Sequence, residues 1–113
     1  MIKPVKWQGD SLSRVRAFRV RAREAAGGEL RRVQQGLEPA DWKPMTSVGL
    51  GVKEIRVHVE GEHRVLYAAK FAGAIYVLHA FQKISQKTAK SDVDLAARRY
   101  RQLAGELMKA KLH

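Results

Sequence analysis

The sequence contains no cysteine, which excludes a disulfide framework and any metal site built on thiolates. It also lacks a long apolar run. The longest, Ile75 to Phe81, is interrupted by His79 and is far shorter than the roughly 18 residues that predict a membrane span. The N-terminus turns polar at Lys3 and Lys6 before any apolar run develops, so no signal peptide is expected. We therefore expect a soluble protein of the reducing cytoplasm.

Sequence motifs for several kinds of catalysis are missing as well. The four histidines are scattered without the spacing of metal ligands, and there is neither a P-loop nor a dinucleotide-binding glycine motif. No paired-carboxylate or Ser-His-Asp arrangement can be argued from the spacing. The sequence thus predicts no metal and no small-molecule cofactor.

Acidic residues are few relative to basic ones. Lysine and arginine number 22 against 11 acids, a net charge of +11 in 113 residues. A chain of this length is one domain, over residues 1–113, and such a charge indicates a polyanionic partner, above all nucleic acid. An inert basic surface is the simpler alternative. A membrane is disfavoured because no helix pairs a basic face with bulky aromatic residues.

The pattern of apolar residues predicts a strand followed by two helices in the first third of the chain. The strand covers about residues 2–7. Apolar residues at intervals of three then mark a helix up to Phe18. A second helix is predicted from about Val20 to Gln35, with Gly36 placed to end it. Residues 38–51 are predicted to form a loop, because Pro39 and Pro44 exclude a continuous helix.

Three strands and a helix are predicted for the rest of the chain. The strands, at residues 54–59, 63–71 and 74–81, are joined by short turns and therefore form an antiparallel meander. The third strand is apolar on both faces, which favours a central, covered position. A long amphipathic helix begins at Ser91. The order β-α-α-β-β-β-α, with two N-terminal helices and a C-terminal helix on a small, mostly antiparallel sheet, predicts a two-layer α+β fold.

Specific strings in this order resemble the RelE/ParE superfamily of toxins, and within it the phage-derived, HigB-like branch. They are Trp42-Lys43-Pro44-Met45, Gly51-Val52-Lys53-Glu54-Ile55-Arg56, Arg64-Val65-Leu66-Tyr67, Val77-Leu78-His79-Ala80-Phe81-Gln82-Lys83 and Gln86-Lys87-Thr88. Two positions depart from the pattern. Arg19 stands where the family commonly has proline, and Ile84 stands where it usually has a second lysine, so a cation is missing beside the expected site.

The resemblance implies a metal-independent endoribonuclease. An mRNA 2′-OH would attack the adjacent phosphate and leave a 2′,3′-cyclic phosphate, a reaction that needs cations at the phosphate. Arg64 matches the arginine of the family's Arg-x-x-Tyr strand and is the first candidate; a salt bridge to Glu62 or Glu54 is its alternative role. Arg56 and Lys83 are the further cations, although each could be structural.

Other residues are weaker candidates for this site. His79 is the residue type suited to acid–base catalysis near neutral pH. Yet the alternation along its predicted strand puts it on the same face as Ile75, Val77 and Phe81, which favours a packed histidine over a catalytic one. No residue stands out as the general base. Contacts to RNA or the ribosome are assigned to Lys53, Tyr67, Lys87 and Lys90.

The resemblance also implies partners. A ribosome-dependent toxin would bind ribosome and mRNA, and its neutralising antitoxin would be a small helix-turn-helix protein. Two alternatives remain, because one scaffold can carry different functions. One is a gyrase-directed inhibitor that cleaves nothing. The other is a non-enzymatic basic nucleic-acid-binding domain.

Overall fold

The computed structural model describes residues 2–112, which form five strands and three helices around one sheet. The sheet order is β1-β5-β4-β3-β2, with every pairing antiparallel except that of β1 with β5. The predicted α+β class and mostly antiparallel sheet are therefore confirmed. The elements are β1 (Val5–Trp7), α1 (Ser11–Arg16), α2 (Val20–Gln34), β2 (Trp42–Pro44), β3 (Val52–Val57), β4 (Glu62–Ala68), β5 (Ile75–Lys83) and α3 (Lys90–Leu112).

Strand β2 lies in the segment that the sequence indicated to be a loop. It pairs with β3 at the edge of the sheet, with Lys43 opposite Glu54 and Pro44 opposite Lys53. Proline is tolerated on an edge strand because its missing N–H can face away from the partner. The prolines therefore excluded a helix here but not a short strand.

The helices cover both faces of the sheet, so the domain has three layers rather than the two expected. On one face, α1 and α2 pack through buried residues that include Val15, Ala26 and Leu30. On the other face, α3 contributes the buried Ala96 and Leu103. Alternate residues of β4 belong to the two cores. No helix among residues 2–112 is both long enough and apolar enough to cross a membrane.

Helices α1 and α2 stay separate although Arg19 stands where the resemblance led us to expect proline. This residue precedes α2 with φ −57° and ψ 150°, an extended conformation that proline also adopts. Phe18, just before it, is buried in the core beneath the helix pair. The break between the helices is thus kept by the packing of Phe18 and the backbone at Arg19.

A β-bulge in the pairing of β4 with β5 changes which residues of β5 face α3. Leu66 is opposite His79, whereas Tyr67 is opposite Val77, so Leu78 has no partner in the register. Ile75 and Val77 pack under α1 and α2, but Leu78 packs under α3 and His79 bonds to it. The expectation that His79 shares a face of the sheet with Ile75 and Val77 is therefore wrong, because the bulge inserts one residue into the alternation of faces along β5.

Candidate functional site

The arginines of the predicted site lie on one face of the sheet, close to the end of β5. The register pairs Arg56 with Arg64, and Arg64 with Phe81. Directly paired residues of neighbouring antiparallel strands share a face. Phe81 packs in the core beneath α3, so both arginines lie on the α3 side of the sheet.

Arg64 is almost completely buried, and its guanidinium is held by three groups. Nη1 donates to the backbone oxygen of His63 at 3.0 Å, and Nη2 donates to Glu62 Oε1 at 3.1 Å. Nε lies 3.7 Å from Glu54 Oε1 and makes no hydrogen bond within the described residues. Both salt bridges considered from the sequence are thus present. They leave a guanidinium whose hydrogen-bonding capacity is not fully used.

Glu54 is the buried anion around which the cations gather. Its side chain is fully buried, and Oε1 lies 3.5 Å from Arg56 Nε, 3.7 Å from Arg64 Nε and 3.9 Å from Lys43 Nζ. Oε2 has no hydrogen-bond partner among residues 2–112. A buried carboxylate is strongly unfavourable unless cations surround it, so Glu54 fixes the two arginines beside each other.

An open cleft of about 450 Å³ adjoins Arg64. It is formed by the start of β4, the end of β5 and the loop after β5. Lys83 is half-buried and, within the described part of the chain, has no carboxylate at ion-pairing distance. Two cations therefore converge on a cavity that can admit a phosphate group. The lining residues are Glu62, Arg64, Lys83, Ile84, Ser85 and Gln86.

His58 contacts Glu62 from outside the cleft, although no pattern in the sequence singled it out. Its Nδ1 lies 2.8 Å from both carboxylate oxygens of Glu62, and its Nε2 lies 2.5 Å from Asp41 Oδ2. These hydrogen bonds, first that with Asp41 and then that with Glu62, raise the pKa of His58. The bond from His58, followed by that from Arg64, lowers the pKa of Glu62.

Comparison with protein families identifies the chain. Residues 13–101 match the model of the phage-derived Gp49-like protein family (DUF891). The chain belongs to this family. Gp49-like proteins are RelE/ParE-like toxins of toxin–antitoxin systems, so membership implies an antitoxin as a partner. A comparison with curated protein sequences gave no match.

The histidine of β5 in this Gp49-like chain does not line the Arg64 cleft. His79 is fully buried, stacks on Phe81 at a centroid distance of 5.3 Å, and has Nε2 2.7 Å from Asp92 Oδ1. Burial lowers the pKa of His79, and the bond to Asp92 only partly opposes this. The geometry is that of a packed histidine that ties α3 to the sheet, the role that the sequence favoured.

Lys53 and Tyr67 lie on the opposite face of the sheet from Arg64. Tyr67 is buried in the core beneath α1 and α2, and burial raises the pKa of its hydroxyl. Lys53 Nζ bonds to both carboxylate oxygens of Glu38, at 2.8 and 3.0 Å, and lies 4.4 Å from the centre of the Trp42 ring. Both residues line a separate cavity of about 210 Å³. An RNA bound at Arg64 would not reach them through the sheet.

The two lysines after β5 differ in their surroundings. Lys87 is exposed and lines a smaller cavity together with Lys83 and Ile84, so it lies beside the cleft. Lys90 begins α3, points into solvent and bonds to Asp94 at 2.8 Å. Of Lys53, Lys87 and Lys90, Lys87 is the one that lies beside the Arg64 cleft in the described part of the chain.

Proposed function

We propose that this Gp49-like toxin is a HigB-like, ribosome-dependent mRNA endoribonuclease whose substrate phosphate binds between Arg64 and Lys83. The observation that supports the proposal most is the convergence of these two side chains on one open cleft. A guanidinium fork suits the nonbridging oxygens of a phosphate, and an ammonium adds a compact charge.

The cleft favours catalysis by charge stabilisation. Attack of the 2′-OH forms a bond to phosphorus while the bond to the 5′-oxygen of the next nucleotide breaks, and charge grows on the nonbridging oxygens. Glu54 and Glu62 hold the Arg64 guanidinium beside the cleft, so its positive charge is already close to the place where that charge develops. Lys83 can neutralise the phosphate or protonate the leaving oxygen. Glu62 is a poor base because its pKa is lowered.

The decisive experiment is primer extension on a defined mRNA in a purified translation system. We expect codon-phased cuts that need ribosomes. Lys83→Ala should reduce the cleavage rate by roughly 10- to 100-fold, because a cation is removed without disturbing a buried pair. Lys109→Ala, an exposed lysine in the last turn of α3, is the matched control and should leave cleavage unchanged.

Arg64 requires a milder change because its side chain is buried. Arg64→Lys keeps a positive charge near Glu54 and Glu62 but removes the bidentate fork. We expect cleavage to fall by about 100-fold while circular dichroism shows an intact fold. Intact mRNA with the unaltered protein would contradict the nuclease proposal. Inhibition of gyrase in a supercoiling assay would then identify the other toxin class.

The antitoxin is proposed to be a small helix-turn-helix protein, and the ribosome and mRNA are the proposed targets. A reading frame of that kind beside the toxin gene, whose product co-purifies with the toxin and suppresses cleavage, would support this assignment. A neighbouring protein without a helix-turn-helix that neutralises the toxin would contradict it.

A further inference from the structure

The ring of His58 is held between carboxylates from two different segments of the chain. Asp41 lies in the loop before β2, and Glu62 begins β4. A carboxylate only accepts hydrogen bonds, so both ring nitrogens of His58 must donate. The arrangement therefore requires the positively charged imidazolium, although half of the side chain is exposed to solvent.

Glu62 is shared between this imidazolium and the arginine of the cleft. Its Oε1 accepts from Arg64 Nη2 at 3.1 Å and lies 2.8 Å from His58 Nδ1. A phosphate that binds Arg64 must take the place of this carboxylate and will be repelled by its charge. Neutral His58 would leave Glu62 with Arg64 as its main cationic partner, in direct competition with the phosphate.

We infer that His58 is a positioning residue of the phosphate site: its imidazolium retains Glu62 so that the Arg64 guanidinium can turn to an RNA phosphate. The inference rests on the proposed function for the identity of the phosphate. His58 touches neither the cleft nor the reacting atoms, since it is absent from the cleft lining. It acts through Glu62 alone.

This role predicts a pH dependence that a merely structural contact would not produce. The charged groups that face the ring are Asp41 from the loop before β2 and Glu62 from β4, and both favour its protonation. Phosphate binding should therefore be strong while His58 is charged. It should weaken as the pH rises through the raised pKa of His58.

The first experiment measures mRNA cleavage between pH 6 and 9 for a set of variants. His58→Gln should raise KM about tenfold at pH 6.5 and leave kcat little changed. The reason is that Glu62, no longer held by His58, competes with the substrate phosphate for Arg64 and so weakens binding. His58→Arg keeps a cation that does not titrate and should give a KM independent of pH. In His58→Gln/Glu62→Gln, removal of the carboxylate charge should restore KM. Glu60→Gln, an exposed neighbour, is the control for the second change.

A second measurement does not depend on catalysis. Binding of a short 2′-O-methyl oligoribonucleotide, which cannot be cleaved, is measured by isothermal titration calorimetry over the same pH range. We expect affinity to fall about tenfold with rising pH in the unaltered protein and to be flat in His58→Arg. If binding shows this pH dependence but the protein cleaves no mRNA, the proposed nuclease activity is refuted and the positioning role of His58 still stands. No binding, or binding with the same pH dependence in His58→Gln, would overturn it.

Discussion

At the scale of single residues, Glu54 is the side chain on which the cluster of cations depends. Removing one partner of a buried ion pair leaves the others uncompensated. Glu54→Gln should therefore reduce the free energy of unfolding by about 3 kcal/mol, measured by urea denaturation. Glu60→Gln removes a carboxylate from an exposed position and should change it by less than about 0.5 kcal/mol. Equal effects of the two changes would contradict the role given to Glu54.

Ile84 offers a change expected to increase activity. Ile84 is 93% exposed at the rim of the Arg64 cleft, where the resemblance to the HigB-like branch led us to expect lysine. Ile84→Lys should leave the melting temperature unchanged and raise the rate of mRNA cleavage by roughly 3- to 10-fold, because a third cation reaches the phosphate. Leu50→Lys, which is also exposed but absent from the lining of that cleft, is the control. No increase from Ile84→Lys would show that the absence of a lysine at this position does not limit the proposed cleavage.

The sequence named Arg56 and Arg64 as candidate cations, and in the structure the two lie opposite each other on neighbouring strands. The alternation of side chains along a strand could have separated Tyr67 from Arg64, since residues three apart in a strand face opposite sides. The contact of His58 with Asp41 could not be predicted, because it joins residues 17 apart through the pairing of β2 with β3.

At the scale of secondary-structure elements, replacing glycine by alanine should have opposite effects on stability in α2 and in the loop before β3. Gly27 and Gly28 are exposed within α2, and a Cβ at either would meet nothing within 4 Å. Each substitution by alanine should raise the free energy of unfolding by about 0.5–1 kcal/mol, because alanine loses less backbone entropy. Thermal unfolding by circular dichroism measures this. A decrease in stability would contradict the open surroundings described for these two glycines.

Gly49→Ala is the matched change where space is lacking. A Cβ there would lie 2.5 Å from the ring of Tyr100, whose hydroxyl donates to the backbone oxygen of Leu50. We expect this variant to be destabilised by about 1–3 kcal/mol, because the ring and α3 must shift away from the loop. A neutral result in the same thermal assay would show that α3 adjusts freely.

Periodicity predicted the three helices and the strands of the meander because their buried residues recur at regular intervals. Two features lay beyond it. Strand β2 has only three residues and includes Pro44, so it carries no alternation of its own. The bulge opposite Leu66 and Tyr67 shifts the alternation within β5, and the apolar residues on both sides of it conceal the shift.

At the scale of the whole molecule, the histidines make the free energy of unfolding depend on pH, and they do so in opposite directions. Burial lowers the pKa of His63 and His79, so their contribution to the stability of the fold is present above about pH 6.5 and is lost as the pH falls. The raised pKa of His58 gives a contribution that is present below that pH and is lost as the pH rises. His58→Gln should therefore destabilise the fold more at pH 6 than at pH 9, measured by urea denaturation. An equal effect at both would contradict the charged state assigned to His58.

The net charge of +11 should make RNA binding strongly dependent on salt, and the fold indicates which basic residues matter most. Arg98 and Arg101 are exposed on α3, which covers the same face of the sheet as the Arg64 cleft. Arg21 and Arg23 are exposed on α2, which covers the opposite face. The double variants Arg98→Gln/Arg101→Gln and Arg21→Gln/Arg23→Gln lower the net charge equally, so they form a matched pair.

If RNA approaches the cleft side, the α3 pair should weaken binding of the uncleavable oligonucleotide more than the α2 pair. It should also reduce the slope of log affinity against log salt by about one for each phosphate that the variant no longer neutralises. The α2 pair should leave that slope nearly unchanged. Equal weakening by both pairs would mean that RNA binds the basic surface on both sides of the protein without a preferred orientation. The positive charge would then attract RNA over long distances, and it would not direct RNA to Arg64.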